Sequence, residues 1–157
     1  MIDLRLEPVS DTAQSPTYGT DNAACFDLRA DILYRVCQGS GGSLGINCID
    51  GEMVLNPGKR YLIPTGFTFH IPDGYQMKIN PRSGLAWKHG ITVLNAPATI
   101  DSDYKDETFV ILYNSSNQPF VINHGDRIAQ GEIVQVNRVN LESLGERKGG
   151  FGSSGVK

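Results

Sequence analysis

At 157 residues the chain has room for one domain with a real core and too few residues to suggest two. Its 14 Lys and Arg against 17 Asp and Glu give a net charge of −3 with no long run of either sign, which argues against a polymeric nucleic-acid partner. No apolar run reaches bilayer-spanning length, and the start, MIDLRLEPVS, has charges where a signal peptide needs an apolar stretch, so a soluble, cytoplasmic protein without membrane association is expected.

The 18 Gly and eight Pro punctuate short β-branched and aromatic runs, a pattern that predicts an all-β domain with little helix. The first expected strand is Ile2–Leu6. In Ala24–Ala30 (ACFDLRA), Asp27 sits among alternating apolar residues, where a carboxylate can hold Mg²⁺ or one of its waters, or form a buried salt bridge to an arginine. Residues 37–50, with the run QGSGGS, have the composition of a surface loop or a small excursion between strands. Cys25, Cys37 and Cys48 are odd in number and lack C-x-x-C spacing, so neither a disulfide framework nor a zinc site follows, and reduced thiols are the simplest reading.

Strands are expected next at Val54–Leu55 and Lys59–Pro64. Phe67, Phe69 and Ile71 alternate with polar residues, Pro72-Asp73-Gly74 supplies turn chemistry, and Tyr75, Met77 and Ile79 alternate again, which predicts a β-hairpin. A short helix is expected near Gly84–His89, after Pro81-Arg82-Ser83. There Arg82, Ser83 and Gly84 make either a phosphate seat or a turn with Arg82 in a structural ion pair. Asn95–Tyr104 (NAPATIDSDY) reads as a hairpin carrying an amide, an aromatic ring and two carboxylates; it can face a base and activate water, or simply be a polar turn.

Further strands are expected at Thr108–Asn114, Phe120–Ile122 and Ile128–Val139, and their spacing suggests a sandwich or jelly roll. Gly125–Gln130 is a turn entering the last of these, with Gln130 bonding a phosphate or the backbone. His70, His89 and His124 lack metal-ligand spacing. Residues 1–145 form the expected domain, and 146–157 a Gly- and Ser-rich tail containing Phe151, which either closes over a nucleotide or hangs free.

Taken in order, Ala24–Ala30, Pro81–Ala86, Asn95–Glu107, Gly125–Gln130 and Gly149–Gly155 resemble the five motifs of the trimeric dUTPase family, and the match spans nearly the whole chain. The resemblance implies a distorted jelly-roll (β-clip) subunit, a homotrimer with active sites shared between subunits, and hydrolysis of dUTP to dUMP and pyrophosphate with Mg²⁺. It implies Asp101 as the base that activates the attacking water. Asn95, with Thr99 and Ile100, is implied to read uracil, and Tyr104 to lie under the deoxyribose. Arg82, Ser83, Gly84 and Gln130 are implied phosphate ligands, and Asp27 is the implied Mg²⁺ carboxylate, acting through water. From the tail, Arg147, Phe151, Gly152, Ser153 and Ser154 are implied to close over the substrate, with either Arg147 or Lys148 meeting the γ-phosphate. Such an enzyme limits uracil incorporation into DNA and supplies dUMP for dTMP synthesis.

The chain departs from the family pattern at Cys25, Ala98 and Asp106, where Gly is usual, and in the tail, where Arg147 stands one residue closer to Phe151. Residues 37–50 are an insertion after the first motif and a possible contact for a protein partner. Two other readings compete: a dCTP deaminase, which needs a catalytic Glu in the third motif region, and a regulatory binding module of the same fold without turnover, which the presence of Asp101 disfavours.

Overall fold

The structure, a computed structural model, describes residues 2–33, 35–39, 46–48 and 50–143. Its elements in chain order are β1 (Arg5–Pro8), β2 (Thr17–Tyr18), β3 (Phe26–Arg29), β4 (Val36–Gly39), β5 (Ile46–Asn47), β6 (Glu52–Leu55), β7 (Arg60–Pro64), β8 (Phe67–His70), β9 (Tyr75–Asn80), α1 (Ser83–His89), β10 (Ile91–Val93), β11 (Ala98–Ile100), β12 (Phe109–Asn114), β13 (Phe120–Asn123) and β14 (Arg127–Gln135). Two five-stranded antiparallel sheets, ordered β10-β12-β7-β4-β5 and β11-β9-β14-β3-β2, are accompanied by two ribbons, β1-β8 and β13-β6. This is the all-β, jelly-roll type of architecture that the strand spacing predicts, with one short helix. No helix among the described residues is long and apolar enough to cross a membrane.

Period-two burial is clear in β6, β9 and β12. β6 alternates exposed and buried residues, and in β12 Val110, Leu112 and Asn114 are buried while Phe109, Ile111 and Tyr113 are half-buried. The core gathers Leu28, Ile32, Leu55, Ile63, Phe69, Met77, Ile79, Ile91, Leu112 and Ile122. Gly131 lets β14 pass over Phe26, whose ring would lie 2.5 Å from any Cβ placed there. Asn114 is one of the fully buried polar residues. Its Nδ2 donates to Leu55 O (2.9 Å) and Gln118 O (2.7 Å), and its Oδ1 accepts from the Ser116 N–H (2.9 Å) and hydroxyl (2.7 Å).

One expectation fails. The segments around Phe67–Ile71 and Tyr75–Ile79 do not form a hairpin: β8 pairs with β1, whereas β9 pairs with β14 and β11 in a different sheet. Phe67, Thr68 and Phe69 are all buried, so β8 is covered on both faces and takes its partner from the N-terminal segment. The Pro72-Asp73-Gly74 turn does form, closed by Tyr75 N–H to Pro72 O (3.1 Å), but it turns a corner between sheets. The first strand begins at Arg5 instead of Ile2, and β14 ends at Gln135 instead of Val139. The short strands β2, β5 and β10 carry too few residues for any periodicity to show.

Candidate active site

The cis Ala96–Pro97 peptide and the Ala96 N–H to Val93 O bond (3.2 Å) turn the chain between β10 and β11. β11 then pairs along β9, with Thr99 opposite Lys78 and Ile100 opposite Met77. The result is a cavity of about 530 Å³ lined by Asn95, Ala98, Thr99, Ile100, Asp101, Asp103 and Tyr104 over an apolar floor of Leu62, Phe109 and Ile111. A volume in this range suits a small organic ligand. The hairpin residues singled out in the sequence, Asn95, Thr99, Ile100, Asp101 and Tyr104, thus converge on one site.

Asp101 is exposed, and its carboxylate makes no hydrogen bond or ion pair among the described residues; only its backbone carbonyl is engaged, accepting from Tyr104 N–H at 3.2 Å. The Asn95 amide has no partner among the described residues either. Both are therefore available to a ligand. Tyr104 is held in place, its hydroxyl donating to Glu107 O at 2.9 Å. Burial, aided by the nearby Asp106 and Glu107, pushes its phenol above the ordinary value and keeps the donor protonated. A second cavity of about 670 Å³ shares Asp101 and Asp103 and adds Asp73, Tyr75 and Arg138.

The backbone under Tyr104 is anchored by charge. The Glu107 carboxylate accepts from Arg35 Nη1 (2.8 Å) and Nη2 (2.5 Å) and from Gly66 N–H (2.8 Å). Arg35 also donates to Asp31 (2.8 Å), which Thr12 reaches with its hydroxyl at 2.6 Å. Gly66, at φ 77°, leaves no room for a Cβ beside Asp31 and Ala13. Burial opposes ionisation of Asp31, but hydrogen bonds from Thr12, Arg35 and Ser10 and the Arg35 charge outweigh it, so its pKa is lowered.

A second cluster holds the other candidates. Asp27 on β3 accepts from Arg82 Nε (3.0 Å) and Arg127 Nη1 (3.2 Å), Arg82 Nη1 donates to Arg127 O (3.1 Å), and Gln130 Nε2 donates to Pro81 O (3.0 Å). Arg82 is in the ion pair weighed above, and Gln130 bonds backbone. Ser83 and Gly84 follow, exposed, in the first turn of α1, whose N-cap Arg82 makes no side-chain cap. Arg127, given no role in the sequence, joins this cluster because the register shifts between Arg127 and Ala129, which turns it to the side of Gln130; plain alternation puts residues three apart on opposite faces, so the local pattern held no signal for it.

The two clusters do not meet within one chain. Register places Asp27 opposite Gln130 and Gln130 opposite Asn80, whereas Ile100 lies opposite Met77 and Met77 opposite Ile133. Asp101, one residue past β11, is therefore four rows along and three strands across from Asp27. At ~3.4 Å per row and ~4.8 Å per strand the two α-carbons are ~20 Å apart. Arg147, Phe151, Gly152, Ser153 and Ser154 lie outside the described residues, as do residues 40–45 of the insertion.

The fold is all-β, and its Asn95–Tyr104 cavity holds a carboxylate with no partner among the described residues, beside an amide and a ring. The dUTPase family profile matches residues 47–155. The deoxyuridine 5'-triphosphate nucleotidohydrolase of Caulobacter vibrioides (strain NA1000 / CB15N) is 45% identical over 147 residues, covering 90% of this chain and 85% of that protein. The chain belongs to the dUTPase family. Among solved structures, a mutant dUTPase from phage phi11 of S. aureus, described as coordinating a structural Mg(II) ion, superimposes with a TM-score of 0.72 at 19% identity, over 92% of this chain and 98% of that one. A mutant Staphylococcus bacteriophage 80alpha dUTPase with dUpNHpp gives 0.73 at 21% identity, over 99% and 100%. At these identities the two structures speak to the fold.

Proposed function

We propose that this protein hydrolyses dUTP to dUMP and pyrophosphate, with the nucleoside held in the Asn95–Tyr104 pocket. The observation that carries the reading is the exposed, unengaged Asp101 carboxylate at a cavity whose other groups suit a nucleoside. The Asn95 amide and the Thr99–Asp101 backbone offer donors and acceptors to the edge of uracil. Cytosine presents a donor where uracil has an acceptor and would leave buried groups unpaired. The Tyr104 ring lies under the deoxyribose and rejects a 2′-hydroxyl by lack of space. Asp101 orients a water and takes its proton as the water attacks the α-phosphorus in line, the P–O bond to the β-phosphate breaks, and pyrophosphate departs.

Arg82, Ser83, Gly84 and Gln130 bind the phosphates, with the Arg127 cation beside them. Since Asp101 and Asp27 are ~20 Å apart in one chain, a single triphosphate can use both only if they come from different subunits, and this separation supports the homotrimer with shared sites. The tail residues Arg147, Phe151, Gly152, Ser153 and Ser154 then close the site and exclude water.

Asp27 fits Mg²⁺ at one remove. Both its oxygens already accept from arginine, and no group of three or more candidate metal ligands exists among the described residues. Contact through water, with the phosphates as the direct ligands, matches the habit of this ion. Bound there, Mg²⁺ would neutralise phosphate charge.

Pyrophosphate release from dUTP, dTTP, dCTP and UTP, with and without Mg²⁺, tests the proposal. Release from dUTP alone, dependent on Mg²⁺, is expected. Ammonia from dCTP would return the chain to the deaminase reading, and silence on all four nucleotides to a binding module, with the 37–50 loop as the first place to look for a protein partner.

A further inference from the structure

The insertion is closed at its base by two sulfurs that nothing in the proposed chemistry uses. Cys37 lies on β4 and Cys48 follows β5, and both side chains are buried, 0% and 4% exposed. Their Sγ atoms are 2.9 Å apart, within hydrogen-bonding contact. Register explains the approach: Cys37 pairs with Ile46, and Cys48 N–H donates to Arg35 O at 3.1 Å. Cys37 and Cys48 are therefore diagonal neighbours on one face of the β4-β5 ribbon.

We propose that Cys37 and Cys48 are an oxidation site, a dithiol that a low-molecular-weight disulfide such as oxidised glutathione converts to an intrachain disulfide spanning the insertion. One thiolate attacks the reagent disulfide and expels one reduced thiol. The second protein thiolate then attacks the mixed disulfide and expels the other. The protein loses two protons and two electrons, and the reagent gains them as two thiols. A disulfide bond needs sulfurs about 2.05 Å apart, so the pair must close by ~0.9 Å.

Access comes from the weakness of the edge. Among the described residues β5 is the outermost strand of its sheet and pairs with β4 at two positions, with the Cys48 N–H to Arg35 O bond beyond them, and short edge pairings open locally at little cost. Burial and the neighbouring sulfur push the Cys37 thiol well up, which makes reaction through the closed form slow and the opened edge its route. Cys25 lies apart, half-buried beside β3, with Glu132 close enough to raise its thiol further after burial has done so.

The test is thiol counting on the intact protein across graded ratios of reduced to oxidised glutathione, with acid quench, denaturation, alkylation and mass measurement. The reduced protein takes three alkyl groups, one for each cysteine. The oxidised protein is expected to take one, at Cys25, with the peptides bearing Cys37 and Cys48 linked. Cys25→Ser should leave the linkage intact, while Cys37→Ser should abolish the paired loss. Three alkyl groups at every ratio, a persistent glutathione adduct on Cys37 or Cys48, or a linkage through Cys25 would overturn the proposal. The wild-type count decides it even where Cys37→Ser fails to fold.

Discussion

Dividing the site between subunits makes a quantitative prediction. Asp101→Asn removes the proposed base, and Arg82→Gln removes a phosphate ligand on the far cluster. Each variant alone should retain about 1% of turnover or less, the usual scale for losing a general base or a charge-stabilising group. In the proposed trimer, with ~20 Å between Asp27 and Asp101 in one chain, each site would take its base from one subunit and its phosphate cluster from the next. Co-refolding equal amounts of the two variants gives random trimers. A site is intact when its base donor is the Arg82→Gln chain and its phosphate donor is the Asp101→Asn chain, a joint probability of about one quarter. Pyrophosphate release should thus rise from about 1% to about 25% of the wild-type rate. If the mixture stays at the parental average while single-variant refolding controls recover their trimers, base and phosphate ligands act from the same chain and the division is wrong.

Tyr104→Ala should open space at the sugar, and the ratio of kcat/KM for dUTP over UTP should fall by at least about tenfold, the scale of ~1.4 kcal/mol of lost discrimination; an unchanged ratio removes Tyr104 from sugar selection. Asn114→Ala strips partners from Leu55 O, Gln118 O and Ser116 N–H in the core and should cost about 2–3 kcal/mol, read as a lowered midpoint in urea unfolding at constant slope. Asp31 has a folded pKa below its unfolded value, so the stability it contributes is fully present above the unfolded value of about 3.9 and is lost as pH falls through the lower folded one. Asp31→Asn should therefore flatten the acid limb of the stability curve in that window and leave its slope near neutrality unchanged.

Much of this was legible in the residues, and the failures have physical reasons. β12 announced itself because it is long enough for alternation to show. The hairpin expected at Phe67–Ile79 failed because alternation and turn chemistry describe a strand pair and a sheet corner equally well; what decided was burial of β8 on both faces, a tertiary fact. In the site, each chemically distinctive residue from Asn95 to Tyr104 was readable, whereas the apolar floor of Leu62, Phe109 and Ile111 was not. Its only signal was that β7 and β12 are apolar on both faces, so something must cover the second one. Leu62 and Ile111 are cross-strand partners, a pairing no local window reveals.

The buried charges also make sense only in space. Glu107 is far in sequence from Asp31 and Arg35, yet two ion pairs join the three, with hydrogen bonds from the Thr12 hydroxyl and the Gly66 amide at the two ends. Desolvation makes such a network a poor source of net stability, since apolar residues of similar volume often do as well. What apolar residues cannot do is fix direction. The two Arg35 bonds and the Gly66 bond leave the Glu107 carboxylate little freedom, and the backbone carbonyl of that same residue receives the Tyr104 hydroxyl. The orientation of the ring at the pocket thus depends on a salt bridge to a residue just ahead of β4, and the strand register that seats Arg35 is part of the pocket's geometry as much as Tyr104 itself.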